Sequence, residues 1–150
     1  MRTLSLIALA SLAIGNGCAL QPLRPTGPPT PQAAYTQLLS IDYFAFGGVG
    51  YAGTTSDGET AFRMVASTTN AFQLFSAALT NGNAQAKLYA LCAIRQLSLK
   101  DFDTHAKSVV TISPKVETMR GCMIGHEWTS NVVAQITSGS YDSYIKIAKR

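Results

Sequence analysis

Charged side chains are scarce in this sequence: Asp, Glu, Lys and Arg make up 13% of its 150 residues, about half of the usual share. Twelve Lys and Arg residues against eight Asp and Glu residues give a net charge of +4. The cations are scattered, apart from Lys146, Lys149 and Arg150 at the end. Because nucleic-acid-binding proteins carry clustered basic stripes, we expect no nucleic-acid partner.

Recognisable catalytic and metal-binding motifs are also missing. His126 begins a run that resembles H-E-x-x-H, but Ser130 stands where the second zinc-binding histidine belongs. Ser143 and Lys146 match S-x-x-K without the partner motifs of penicillin-binding enzymes. The eight carboxylates are dispersed, and no G-x-S-x-G is present. We therefore predict no catalytic residue, no metal site and no cofactor.

Only one long uncharged apolar run is present, from Leu4 to Ile14, and it follows Arg2. This run is shorter than the ~20 residues of a membrane span and is typical of a signal peptide. Gly17 and Cys18 follow it as in a bacterial lipoprotein signal, so we predict a signal peptide over 1–18 and lipidation of Cys18. The alternative is ordinary cleavage after Ala19.

Five prolines lie between the predicted signal peptide and the remainder of the chain, within residues 19–32. Proline fixes φ and removes a hydrogen-bond donor, so this segment cannot be core helix or central strand. We predict an extended linker between a lipid anchor and a folded head.

Residues 33–150 read as short helices separated by turn residues. Apolar side chains at helical spacing predict helices over 33–41, 56–67, 71–79, 84–97, 101–110 and 131–136. Ser56 and Glu59 have the spacing of a capping box. Residues 116–124 suit a short helix or an extended strand, and residues 141–147 a last helix or a short strand. The predicted fold class is all-α, a compact array of short helices paired like the helical hairpins of HEAT repeats.

The predicted helix over 84–97 is apolar on nearly every face, which favours a buried position. It carries Cys92. Cys122 is the only other cysteine if Cys18 is lipidated or removed. An exported protein folds where disulfides form, so we predict a disulfide between Cys92 and Cys122. Two separate thiols are the alternative.

A glycine-rich segment precedes the second predicted helix. Its glycines formally match the dinucleotide motif G-x-G-x-x-G, but Phe72–Leu74 stand where that motif needs an acidic residue. Aromatic and glycine-rich loops on rigid scaffolds often carry recognition. A structural loop over the core and a recognition loop both remain open. The residues of the predicted recognition loop are Gly47, Gly48, Gly50, Tyr51, Gly53, Ser56 and Glu59.

Three segments of the chain carry a resemblance to a known family: the glycine-rich segment GGVGYAGTTSDGE, the helix AKLYALCAIRQL and the later RGC. Together they resemble an uncharacterised family of small bacterial lipoproteins, and the resemblance implies no chemistry.

The leading functional prediction is an exported, non-enzymatic lipoprotein on the periplasmic side of the bacterial outer membrane or at the cell surface. It would bind an envelope protein or a cell-wall component. The alternatives are an envelope enzyme with a site near the glycine-rich loop, built with Ser56, Glu59 or His126, and an immunity or accessory factor for a secreted peptide toxin.

Overall fold

A computed structural model of the chain describes residues 30–112, 115–145 and 147. The predicted signal peptide, Cys18 and most of the predicted linker lie outside these residues. The helices in the described part are α1 (Pro31–Leu39), α2 (Asp57–Ala66), α3 (Ala71–Asn81), α4 (Ala84–Leu97), α5 (Leu99–Ile112) and α6 (Thr129–Thr137). The strands are β1 (Gly48–Val49), β2 (Thr54–Thr55), β3 (Lys115–Arg120) and β4 (Met123–Trp128).

The fold is mostly helical, but the prediction of an all-α fold is wrong in one respect, because two small antiparallel sheets are present. β1 pairs with β2, and β3 pairs with β4. A two-residue turn connects β3 to β4, with Gly121 at φ 55°, and glycine is the residue that enters this left-handed region without strain. The segment whose sequence suited helix or strand is therefore a hairpin.

α4 lies at the centre of the helical part. Every residue from Leu88 to Ile94 is buried, and α4 packs against α3, α5 and α6. This arrangement confirms that the helix is enclosed on nearly all sides. A helix of this composition has no polar face to turn to water, so other elements must cover it.

Asn83 positions the start of α4 against the end of α1. Its side-chain oxygen accepts a hydrogen bond from the N–H of Ala86 at 2.9 Å, as an N-cap residue does. Its side-chain amide donates to the carbonyl of Ile41 at 2.8 Å, and its own N–H donates to the carbonyl of Leu39 at 2.9 Å. One residue thus begins a helix and ties it to a segment more than 40 positions away.

Helix bounds differ modestly from the predicted ones. α1 begins at Pro31, inside the predicted linker, because Thr30 caps it and proline is well suited to the first helical position. The segment from Tyr141 to Tyr144 forms turns rather than a helix or strand. Asp142 in those turns pairs with Arg95 of α4 at 2.5 Å, which holds the turns against the helical part.

Candidate functional site

The glycine-rich segment runs beside the β3–β4 hairpin. The N–H of Phe44 donates to the carbonyl of Glu117 at 2.8 Å, and the N–H of Met119 donates to the carbonyl of Phe44 at 3.1 Å. Further along, the N–H of Gly50 donates to the carbonyl of Gly121 at 2.8 Å. The segment is therefore fixed along the outer edge of β3 by backbone hydrogen bonds.

A buried polar cluster holds the other side of this segment. The Tyr89 hydroxyl donates to the carbonyl of Ala45 at 2.6 Å and accepts from the N–H of Ala45 at 3.0 Å. The Ser56 hydroxyl donates to the same carbonyl at 3.1 Å and accepts from the N–H of Glu59 at 3.0 Å. Burial raises the pKa of the Tyr89 phenol well above its usual range, so the hydroxyl stays protonated.

Glu59 departs from the role predicted for it. The Ser56 half of the capping box forms, but Glu59 accepts from the N–H of Gly47 at 2.8 Å and pairs with Arg63 instead of returning to Ser56. Its side chain is almost completely buried, whereas the Arg63 side chain is 57% exposed. Gly47 has φ 87°, a conformation that favours glycine. The carboxylate therefore shapes the loop rather than the helix end.

A cavity of about 340 Å³ opens between the glycine-rich segment, the β3–β4 hairpin, α6 and the final turns. We call it the groove. The side chains and backbone that line it belong to Phe44, Ala45, Phe46, Gly47, Gly48, Thr118, Met119, Arg120, Gly121, Gln135, Ser140, Tyr141 and Tyr144. Its size lies at the lower end of the range for small-ligand sites.

Aromatic rings form one wall of the groove. Phe46 and Tyr144 are stacked with an interplanar angle of 19° and centroids 6.3 Å apart. Tyr141 packs against Phe46 at 5.7 Å and against Phe44 at 5.2 Å. Burial raises the pKa of Tyr141 to about 12, so this phenol is neutral over the physiological range. Tyr144 is 41% exposed and offers an accessible ring.

Polar side chains form a second wall of the groove, next to Tyr141. The Arg120 guanidinium donates to the Gln135 side-chain oxygen at 2.9 Å, and the Tyr141 hydroxyl donates to the same oxygen at 2.8 Å. Arg120 also lies 3.3 Å from a carboxylate oxygen of Glu127, while its side chain remains 65% exposed. The guanidinium is thus positioned by its neighbours and still reaches solvent. A groove with these two walls suits a ligand that has both a flat apolar face and acceptor or anionic groups.

The residues of the predicted recognition loop occupy three different environments. Gly47 and Gly48 line the groove. Gly50, Tyr51 and Gly53 form the connection between β1 and β2, and Tyr51 is fully exposed there. Ser56 and Glu59 are buried behind the loop and do not line the groove.

The residues proposed for an enzyme do not assemble into one site. Ser56 and Glu59 are 2% and 1% exposed and use their polar atoms to hold Ala45 and Gly47. His126 is on exposed strand β4, 3.9 Å from Glu117. No described hydrogen bond or ion pair joins His126 to Ser56 or Glu59. Within the described ranges no three His, Cys, Asp or Glu side chains come close enough to hold a metal ion.

Cys92 and Cys122 are both free thiols in the structure, so the predicted disulfide is not formed there. Cys92 is enclosed by the core on α4, whereas Cys122 is exposed in the turn of the β3–β4 hairpin. Burial raises the pKa of the Cys92 thiol well above its usual range. Because reactive cysteines need thiolate character and access, Cys92 has the environment of an inert core residue.

Sequence reasoning missed the polar wall and the ring of Tyr144. Arg120, Gln135 and Tyr144 come from three separate elements, and no local spacing connects them. Two residues of the predicted recognition loop, Gly47 and Gly48, do line the groove. Over residues 30–112, 115–145 and 147, no helix is both long enough and apolar enough to cross a bilayer.

These features define a mostly helical domain with a groove lined by aromatic and polar residues on its surface. No protein-family model matches the chain, and comparison with curated proteins and with solved structures gives no significant match.

Proposed function

We propose that this chain is an exported lipoprotein whose helical head binds a cell-wall component in the groove, without enzymatic activity. One observation carries the binding role: Tyr144, whose ring is accessible, and Arg120, whose side chain is 65% exposed, line the same groove. Pockets that bind small ligands combine apolar and aromatic walls with a few placed polar groups.

Cell-wall peptidoglycan has the matching chemistry. Its sugar rings present flat faces with C–H groups, which pack on aromatic rings, and its peptides carry carboxylates. Carboxylates are preferred partners of guanidinium groups. Gly47 and Gly48 bring backbone to the groove, and a Cβ added at Gly47 would lie 3.1 Å from the Tyr144 ring. The glycine therefore keeps the aromatic ring close to the loop.

Export and anchoring rest on the sequence of residues 1–32. In this proposal Cys18 carries the lipid, the proline-rich linker separates it from the head, and the protein resides on the periplasmic side of the outer membrane or at the cell surface. The pairwise packing of α1 with α2 and of α3 with α4 supports describing the head as an array of HEAT-like helical hairpins.

Binding is tested by sedimenting purified peptidoglycan sacculi with the full chain and measuring the bound fraction. Arg120→Ala and Tyr144→Ala should each weaken binding about tenfold, because central arginine and aromatic side chains dominate binding energies. Tyr51→Ala is the matched control, since Tyr51 is fully exposed but lies outside the groove. A wild-type chain that stays in the supernatant, or a Tyr51→Ala variant that loses as much binding, would contradict the proposal. If the chain binds a specific envelope protein and does not bind sacculi, the proposed ligand is wrong and the ligand is a protein.

The anchor has a separate test, namely the mass of the mature N-terminus in a bacterial host. Diacylglycerol on Cys18 is the expected result, and Cys18→Ser should release the protein from membranes. A mature chain that starts at Leu20 without lipid would refute the lipid anchor and leave the groove hypothesis standing.

A further inference from the structure

The backbone of β4 has one edge that no described element covers. β3 lies between β4 and the glycine-rich segment, and within the described residues β4 pairs with β3 alone. Five of the six β4 residues are exposed. An exposed strand edge presents unpaired N–H and C=O groups and is a template for pairing with another strand.

Hydrogen-bonded and non-hydrogen-bonded residue pairs alternate along the hairpin, and this alternation determines which β4 backbone groups point away from β3. Glu117 and Met119 direct backbone groups to Phe44, on the far side of β3. Their partners across the ladder are His126 and Ile124. In an antiparallel pair, residues whose backbone groups point away from the partner strand form the pairs without ladder hydrogen bonds. His126 and Ile124 therefore direct their own N–H and C=O groups to the open edge.

The same alternation applies to Trp128, two residues beyond His126, whose partner across the ladder is Lys115. The outward-facing residues are thus Ile124, His126 and Trp128, and His126 is the middle of the three. Trp128 is the N-cap of α6, so its carbonyl accepts the first hydrogen bond of that helix and only its N–H faces the open edge. Outside the helices and strands of the described part of the chain, no backbone hydrogen bond involves Ile124 or His126.

The side chains of these three residues lie on the solvent face of the hairpin. Ile124 is 60% exposed and Trp128 is 54% exposed. The Lys115 ammonium lies 4.7 Å from the centre of the Trp128 ring. Large apolar side chains on an exposed edge strand are unusual in a monomer, since edges are normally protected by charge, proline or a covering element.

We propose that two copies of this chain pair through β4, antiparallel and with His126 of one copy opposite His126 of the other. In this register His126 exchanges both of its backbone hydrogen bonds with the second copy, and each Trp128 N–H donates to the Ile124 carbonyl of the other copy. It therefore satisfies more donors and acceptors than a register shifted by two residues toward α6, and a shift toward the turn would lose the contact between Ile124 and Trp128. It is also symmetric about a two-fold axis, as a closed dimer requires. The result is a four-stranded sheet in the order β3, β4, β4, β3.

The β4 side chains of one copy are complementary to the β4 side chains of the second copy. Ile124 lies opposite Trp128 of the second copy, an aromatic and β-branched pair of the kind that stabilises antiparallel sheets. On the other face, Gly125 lies opposite Glu127 of the second copy. A shift of two residues in one direction would place the two Glu127 carboxylates opposite each other, where like charges are destabilising. Charge and shape therefore select the register centred on His126.

The register is tested by cysteine cross-linking in the full chain with Cys122→Ser as the parent, which removes the exposed native thiol. His126→Cys should give an intermolecular disulfide under mild oxidation. Its Cα atoms would be ~5.5 Å apart, within the range that a disulfide spans. Ile124→Cys is the matched control: it would face Trp128 of the second copy and should form at most about a tenth as much dimer. Equal cross-linking at both positions, or none at His126→Cys, would overturn the register.

Dimer formation itself is tested by sedimentation of the full chain over a range of concentrations. His126→Pro removes an N–H that points to the open edge. The N–H groups that pair β4 with β3 are kept, so the hairpin should persist. We expect this variant to raise the dimer Kd at least about tenfold, because two intermolecular donors are lost. His126→Val keeps the donor and should dimerise like the parent.

Circular dichroism of the two variants verifies that both are folded. A parent that remains monomeric at every concentration overturns the proposal, and so does a His126→Pro variant that dimerises like His126→Val. Pairing of β4 with a strand of a different protein, with the chain itself monomeric, would also overturn it. None of these results depends on whether the groove binds peptidoglycan.

Discussion

Replacing Tyr89 by Phe removes one oxygen atom from the buried cluster that holds the glycine-rich segment. The ring is completely buried and packs against Phe44 at 4.8 Å and Phe46 at 5.1 Å, so the shape of the core is unchanged. What is lost is the acceptor for the N–H of Ala45 and one donor to its carbonyl. The carbonyl keeps the hydrogen bond from Ser56, whereas the N–H keeps no partner among the described hydrogen bonds.

The expected loss of stability arises from the N–H of Ala45, because this donor is left without an acceptor whereas the carbonyl keeps one donor. A buried donor left without a partner costs about 1–3 kcal/mol, so Tyr89→Phe should lower the free energy of unfolding by about 2 kcal/mol. For a domain of this size such a change lowers Tm by about 10 °C. Because Ala45 adjoins the groove, its amide should also exchange with solvent faster.

The assay is urea unfolding followed by circular dichroism, with amide hydrogen exchange at Ala45 as the local readout. Tyr51→Phe is the matched control: it removes the same atom from a fully exposed ring and should change stability by less than about 0.5 kcal/mol. If Tyr89→Phe behaves like Tyr51→Phe in both measurements, the cluster does not hold the glycine-rich segment and the reasoning is refuted.

Three further predictions concern glycines and one tyrosine. A Cβ on Gly58 would lie 2.5 Å from the Tyr89 hydroxyl, so Gly58→Ala should destabilise the protein by about 1–3 kcal/mol in urea unfolding despite its better helix propensity; a more stable variant would contradict this. Gly121→Ala places a side chain at φ 55° and should cost about 1–2 kcal/mol, whereas Gly125→Ala, whose Cβ meets nothing within 4 Å, should cost less. Tyr141 has its pKa raised to about 12 in the folded state, so its contribution to stability is complete below about pH 10, the unfolded value, and is lost as pH rises towards 12. Tyr141→Phe should therefore reduce the fall of Tm over that range, and an unchanged fall would show that another group causes it.

Local patterns predicted the helical part well because helix signals are short in range. Residues 84–97 are helical with the predicted bounds, and Ser56 caps α2 through the N–H of Glu59 as expected. Gly82 follows the last residue of α3 as its C-cap. Each of these signals depends on residues within about one helical turn.

Prediction failed where an interaction joins distant segments. Glu59 has the spacing of a capping box but turns to Gly47, twelve positions earlier, because the glycine-rich segment lies over the start of α2. Residues 116–124 have apolar side chains that suit a helix or a strand. Pairing with β4 and with Phe44 selected the strand.

The sequence by itself determined the positions of most helices and the buried character of α4, since composition and spacing carry these properties. It also carries the signal-peptide and linker patterns on which export is proposed. Only the tertiary structure decided that Ser56 and Glu59 are buried supports, that Cys92 and Cys122 are separate thiols, and that Arg120, Gln135 and Tyr144 share one groove. These facts depend on contacts between residues far apart in the chain, and such contacts exist only after the helices have packed around α4.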